Sequence, residues 1–161
     1  MEADDETLRR IATEAFALLN GLRDVHGRVF DLYEKAGHEI ERLPEPVQHY
    51  LRVRFLVDEV NNGGYSQYFF NSSGDEAPKT PSALRAIGAE REAAELEAAF
   101  RQFGRDGPSP DQQTRRKQLA GLSGTSDEDE LEDIEEKFPE LPRDVDKRLL
   151  LYAIAHKDAF R

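Results

Sequence analysis

The sequence predicts an all-α fold. Apolar residues recur at every third or fourth position through most of the chain. Alternation at period two never persists for the roughly four to eight residues that a strand requires. Clusters of Gly, Pro, Asn and Ser separate the periodic stretches. A length of 161 residues fits one domain over 1–161 with one buried core, and nine Phe and five Tyr supply large side chains for it. The elements below make a compact bundle of about seven helices.

Thr7 to Asn20 carries Leu8, Ile11, Ala15, Leu18 and Leu19 at helical spacing and is expected to stop near Gly21. Val25, Val29, Phe30, Leu32 and Tyr33 then predict a second helix. Pro44 and Pro46 break the chain, and Pro46 suits a first helical turn. From there Val47, Tyr50, Leu51, Phe55, Leu56 and Val60 form the strongest apolar stripe. Asn61, Asn62, Gly63 and Gly64 end that helix, because Asn and Gly tolerate a left-handed backbone, and Tyr65, Tyr68 and Phe69 fit a short helix beyond.

Ser72-Ser73-Gly74 closes this unit, and Asp75 to Pro81 reads as a loop. Ser82 is a plausible N-cap for one long helix carrying Leu84, Ile87, Leu96, Phe100 and Phe103. Gly107, Pro108 and Pro110 mark another loop, followed by a basic helical stretch with Arg115, Arg116, Lys117, Leu119 and Leu122. Thr125 and Glu128 match a capping box before an acidic helix whose apolar stripe is Leu131, Ile134 and Phe138. A last helix from about Asp144 to Phe160 turns Leu149, Leu150, Tyr152, Ala153 and Ile154 inward. Burial is expected for Phe55, Phe69, Ile87 and Phe100.

Without cysteine there is no disulfide framework, thiolate nucleophile or Cys-ligated zinc. The N-terminus is acidic where a signal peptide is basic, and no apolar run approaches about 18 residues, so a cytoplasmic location without membrane attachment is expected. Thirty-three acids against 22 Lys and Arg give a net charge of −11, which repels nucleic acid and favours basic partners. That charge is concentrated. Residues 127–140 hold nine acids against Lys137.

The run Val60-Asn61-Asn62-Gly63-Gly64-Tyr65-Ser66-Gln67-Tyr68-Phe69-Phe70-Asn71-Ser72-Ser73-Gly74, followed by Ala83-Leu84-Arg85-Ala86-Ile87-Gly88-Ala89, resembles a bacterial family of DNA-mimic proteins. The resemblance is centred on residues 50–104 and extends over 50–161 through the spacing of the later helices; residues 1–45 carry it more weakly. It implies an all-α fold and an acidic surface that imitates duplex DNA before a DNA-binding protein, with a homodimer as one arrangement. The motif itself is structural in character. Asn61, Asn62, Gly63, Gly64, Gln67, Phe69, Phe70 and Asn71 are residues that build and pack a tight helix junction, with Asn61, Gln67 and Asn71 satisfying backbone groups at helix ends.

Signals for chemistry are thin. Gly63-Gly64 lacks both the Gly-Lys-Ser/Thr ending and the preceding strand of a phosphate loop. His26, His38, His49 and His156 are scattered, and none repeats at the spacing of a zincin helix. Asp127-x-Asp129 lacks the glycine of a calcium loop and has Leu131 where an oxygen ligand belongs. No metal or other cofactor is expected. The enzymatic alternative is a small hydrolase built on Glu59, Asn61 and Gln67 near Asp75, since amides and carboxylates cluster around the double glycine.

The acidic helix is more informative. Acids in a first turn suit the helix dipole, which accounts for Asp127, Glu128, Asp129 and Glu130. At about 100° per residue, Asp129, Glu132, Asp133 and Glu136 point most directly at solvent as one anionic face. Their like-charge pairs at i,i+4 cost about 0.2–0.5 kcal/mol each, so stability alone does not select the pattern. Four carboxylates over roughly 10 Å also approach the spacing of a DNA strand, which shows about three phosphates in that length. Glu90, Glu92, Glu95 and Glu97 are candidates to extend the face. The expected function is a non-enzymatic, acidic protein-binding module that occupies the DNA-contact surface of a basic DNA-binding protein, such as a transcriptional regulator. The alternative within the same class is an immunity-type inhibitor of a basic nuclease toxin, which would need a tight, partner-specific hot spot.

Overall fold

The computed structural model describes residues 5–123 and 145–161. Among them every regular element is helical: α1 (Asp5–Lys35), α2 (Glu45–Phe70), α3 (Thr80–Ala86), α4 (Glu90–Phe100), α5 (Gln112–Ser123) and α6 (Val145–Ala155). Short 3-10 turns lie at Ile40–Arg42, Ser72–Lys79, Arg101–Phe103 and Lys157–Phe160. The acidic helix expected after Thr125 lies outside the described residues. No helix among them is long and apolar enough to cross a membrane.

Helix α2 is the centre of the fold and packs against α3, α5, α6 and the Ser72–Lys79 turn. Its Val47, Tyr50, Leu51, Val53, Leu56 and Phe69 are fully buried, which explains why its first half carries the clearest stripe in the sequence. Helix α6 spans α1 and α2. Leu149 and Ala153 are buried, while His49 Nδ1 lies 2.8 Å from the Tyr152 hydroxyl and Arg54 donates to Asp146 at 2.8 Å. Phe160 meets Tyr50 edge to face at 5.8 Å, which ties the C-terminal turn to the same core.

Several boundaries differ from the sequence reading. Helix α1 does not stop at Gly21 but runs through it to Lys35. A Cβ at position 21 would sit 3.1 Å from Leu150 Cδ2, so the glycine serves a close helix contact. The long helix expected from Ser82 to Phe103 is broken in two. Gly88 adopts φ +78°, and the chain turns there between α3 and α4. The Asp75 to Pro81 loop belongs mostly to a 3-10 turn, and Thr80 already begins α3.

Phe69 and Ile87 are buried as expected, whereas Phe55 and Phe100 are half-buried against the edge of the core. Ile154 is the clearest exception, 59% exposed on α6 beside Leu151. A helix that faces the core with Leu149 and Ala153 cannot also turn position 154 inward.

Candidate functional site

The double glycine marks a real interruption of α2. Gly63 has φ −157° and ψ 21°, and Gly64 has φ +79° and ψ −174°, a region that only glycine populates readily. Helical geometry resumes at Tyr65. Across this kink a single carboxylate binds both sides: Glu59 accepts from Gln67 Nε2 at 2.7 Å, Asn71 Nδ2 at 2.9 Å and Ser73 Oγ at 2.6 Å. Gly63 also makes room for Gln67, whose side-chain amide occupies the space a Cβ would fill.

This geometry revises two sequence expectations. Gln67 and Asn71 do not cap backbone groups with their amides; both donate to Glu59. The proposed hydrolase trio does not assemble either. Asn61 is exposed, as is Asn62, and three donors occupy most of the roughly four lone-pair sites of the Glu59 carboxylate. A carboxylate held this way is a structural acceptor rather than a free general base.

Beyond the kink, the end of α2 is secured by α5. Arg115 is fully buried, and its guanidinium donates to Phe69 O at 2.5 Å, Asn71 O at 2.7 Å, Ser109 O at 2.7 Å and Asp75 Oδ1 at 2.8 Å. The Phe69 and Asn71 carbonyls belong to the end of α2, where intrahelical donors run out, so a fork of N–H groups from a neighbouring helix reaches them, while Ser109 O ties in the loop before α5. Gln112 Nε2 and Arg116 Nε both donate to Phe70 O, and the Arg116 guanidinium also lies 3.9 Å from the centroid of the Phe70 ring. Gly74 is required by the same junction. A Cβ there would lie 2.6 Å from Tyr68 O and 2.7 Å from Arg115 Nε.

In the sequence Arg115 reads as one residue of a basic stretch. Its position four residues before buried Leu119 puts it on the inward stripe of α5, and that was the available signal. Phe69, fully buried like Tyr65 and Tyr68, packs against Phe103 at 4.7 Å, Tyr68 at 5.3 Å and Phe100 at 6.1 Å.

The Ile40–Arg42 turn and the Ser72–Lys79 turn enclose an open cleft of about 530 Å³. Tyr33, His38 and Phe55 line it as an aromatic wall, with Tyr33 edge to face against His38 at 5.0 Å and Phe55 at 5.9 Å. Glu39, Glu41, Asp75 and Glu76 line it as acids. Behind them Arg52, nearly buried, donates to Glu41 Oε1 and Glu76 Oε2, both at 2.7 Å, while Lys79 also pairs with Glu41. The Lys79 hydrogen bond, aided by Arg52, holds the Glu41 carboxyl below the usual range. Burial, with a smaller contribution from Glu76, pushes the Tyr33 hydroxyl up.

The candidate acids on α4 do not form an outward face. Glu92 is buried, and Glu97 makes a two-pronged pair with Arg85, at 2.8 and 2.9 Å, which Glu90 joins at 3.4 Å. Asp127, Glu128, Asp129, Glu130, Glu132, Asp133 and Glu136 lie outside the described residues. The described residues are nearly neutral, with 21 acids against 20 Lys and Arg. Among them no three of His, Asp or Glu are grouped to hold a metal ion. His49 on α2, Tyr152 on α6 and His156 just after α6 instead form one aromatic cluster, where burial lowers the His49 pKa.

No curated protein and no solved structure matches the chain. A family model described as DMP19-like protein matches residues 41–156, which begins at the Ile40–Arg42 turn and takes in the kink, the Glu59 node, the buried Arg115 and all of α6. By that match over most of its length, the chain belongs to the DMP19-like family.

Proposed function

We propose that this protein is a binding module that occupies the DNA-contact surface of a basic partner, with Asp129, Glu132, Asp133 and Glu136 standing in for phosphates. One observation carries the reading. The described body is almost neutral, with 21 acids against 20 Lys and Arg, so nearly the whole net charge of −11 resides in residues 1–4 and 124–144. Surface charge spread for solubility alone has no reason to concentrate in this way. Membership of the DMP19-like family, together with the resemblance of residues 50–104 to DNA-mimic proteins, supports the same reading. Binding of this kind works by charge complementarity and requires neither covalent chemistry nor a cofactor.

Replacing the four acids by Asn and Gln tests it. Side-chain size is kept, and loss of the like-charge pairs leaves thermal stability unchanged or slightly raised. Affinity for a basic DNA-binding partner is expected to fall about tenfold or more at low salt, and the wild-type salt slope to flatten, since screening over about 10 Å at 0.1 M acts on exposed charges. The measurements are a thermal melt and partner affinity at two salt concentrations. A quadruple variant that melts normally and keeps both wild-type affinity and wild-type slope would sink the assignment of this face.

A further inference from the structure

Helix α1 lies wholly outside residues 41–156, the span of the family match, and packs on the body chiefly through α6 and the C-terminal turn. Its seam with α2 and α6 leaves polar atoms unmatched. His26 Nδ1 on α1 and the Tyr50 hydroxyl on α2 are both buried, find no hydrogen-bond partner among the described residues, and feel the same Arg54 and Asp58 charges. Most buried polar atoms are paired, so a seam with two that are not is weaker than its apolar packing suggests. We propose that α1 is a proton-sensitive arm, docked on α2 and α6 while the His26 ring is uncharged and released when that ring takes up a proton. This does not depend on the binding role proposed above.

The surroundings of His26 decide the sign. Within α1 its ring packs edge to face against Phe30 at 4.5 Å. From α2 it faces Arg54 and Asp58, and Asp146 on α6 reaches the same guanidinium. Arg54 donates to Asp58 Oδ1 at 2.9 Å and to Asp146 Oδ1 at 2.8 Å, so the nearby carboxylates are already engaged. A protonated His26 carries N–H on both ring nitrogens, and the one at Nδ1 has no acceptor. Burial first, and then Arg54, hold the His26 pKa below its ordinary 6.5, against a smaller opposing pull from Asp58.

His49, between α2 and α6, shows the contrast. Burial, Arg52 and His156 lower its pKa as well, yet its Nδ1 lies 2.8 Å from the Tyr152 hydroxyl and its Nε2 4.0 Å from Glu45. A proton there meets an acceptor on each side. At His26 it does not.

Released from the body, His26 regains a pKa near 6.5. Between that value and the lower docked one only the released arm binds the proton, so docking is complete above about pH 6.5 and weakens by up to about tenfold per pH unit below it. Release also uncovers Leu150, which packs on Gly21, beside Leu151 and Ile154, already 56% and 59% exposed. Helix α6 then presents a broader apolar strip.

The test is amide hydrogen exchange of the full chain, expressed as protection factors at about pH 7.5, 6.5 and 5.5. Protection over residues 22–35 is expected to fall severalfold, toward a ceiling of about tenfold, between about pH 6.5 and 5.5, while residues 47–57 of α2 keep theirs. In His26→Gln the protection of the arm, whatever its level, is expected to stay constant over that range. The His26 ring protons of the wild-type chain, followed by NMR, are expected to titrate below 6.5, a reading that holds even where the variant arm is already loose. Unchanged protection of α1 across the range, the wild-type slope in His26→Gln, or a His26 midpoint at or above 6.5 overturns the inference. So does an equal loss over residues 47–57, which marks unfolding of the whole chain instead of release of α1.

Discussion

Replacing Arg115 by leucine is expected to destabilise the fold by about 3–5 kcal/mol, which is most or all of the stability of a typical domain. The guanidinium is fully buried and satisfies three main-chain carbonyls and Asp75 at once. Leucine fills part of the volume but removes the Arg115 donor from the Phe69 and Ser109 carbonyls, while Asn71 O keeps Gly74 N at 3.1 Å, and each buried acceptor left unsatisfied costs about 1–3 kcal/mol. Arg115→Lys should recover only part of the loss, because a point ammonium cannot reproduce a planar fork aimed at Phe69, Asn71 and Ser109. Denaturant unfolding of the three proteins measures this. A leucine variant within about 1 kcal/mol of wild type would mean that water or a local shift resolves the carbonyls, and that the junction is looser than its geometry implies.

Phe69→Ala is expected to cost a comparable amount, about 3–5 kcal/mol, for an apolar reason. The ring is fully buried and enclosed by Tyr65, Tyr68, Phe100 and Phe103, so truncation opens a cavity bounded by aromatic groups from α2, α4 and the Arg101–Phe103 turn. Stiff neighbours from three elements cannot collapse into it easily. The same unfolding experiment decides the matter. A loss under about 1 kcal/mol would place Phe69 among residues that serve a surface or a ligand instead of the core.

These two residues also show where the sequence is transparent and where it is not. Phe69 is legible because it lies on a periodic stripe just past a glycine pair, and its burial follows from spacing alone. Arg115 lies on an equally regular stripe, but its charge reads as surface until the carbonyls of a distant helix end are known to face it. Glycine misleads in both directions. Gly88 separates α3 from α4 where one long helix is expected, yet Gly21 passes through α1 because Leu150 packs against it; only at Gly63-Gly64 does the expected interruption occur. The intrinsic penalty of roughly 1 kcal/mol is small enough for tertiary packing to outweigh.

Pairing across long separations is the least visible feature. Arg85 takes Glu97 out of the acidic surface from twelve residues away, and Arg52 reaches both Glu41 and Glu76. The cleft is assembled from residues 33–41, 55 and 72–76, three stretches that share no motif in the sequence. The concentration of acids at 127–140, by contrast, is read directly from composition. Its significance grows once the described body is known to be close to neutral.

The central claim is that the protein and DNA compete for one surface of a partner, and displacement tests it most directly. A labelled duplex is bound to a basic DNA-binding protein that this chain captures from native lysate, and fluorescence anisotropy is followed as the chain is added. The account predicts that anisotropy falls to the value of free duplex, with a midpoint that rises in proportion to added unlabelled DNA and shifts upward with salt. A ternary complex, in which the partner holds the chain and the duplex together at full anisotropy, would contradict it.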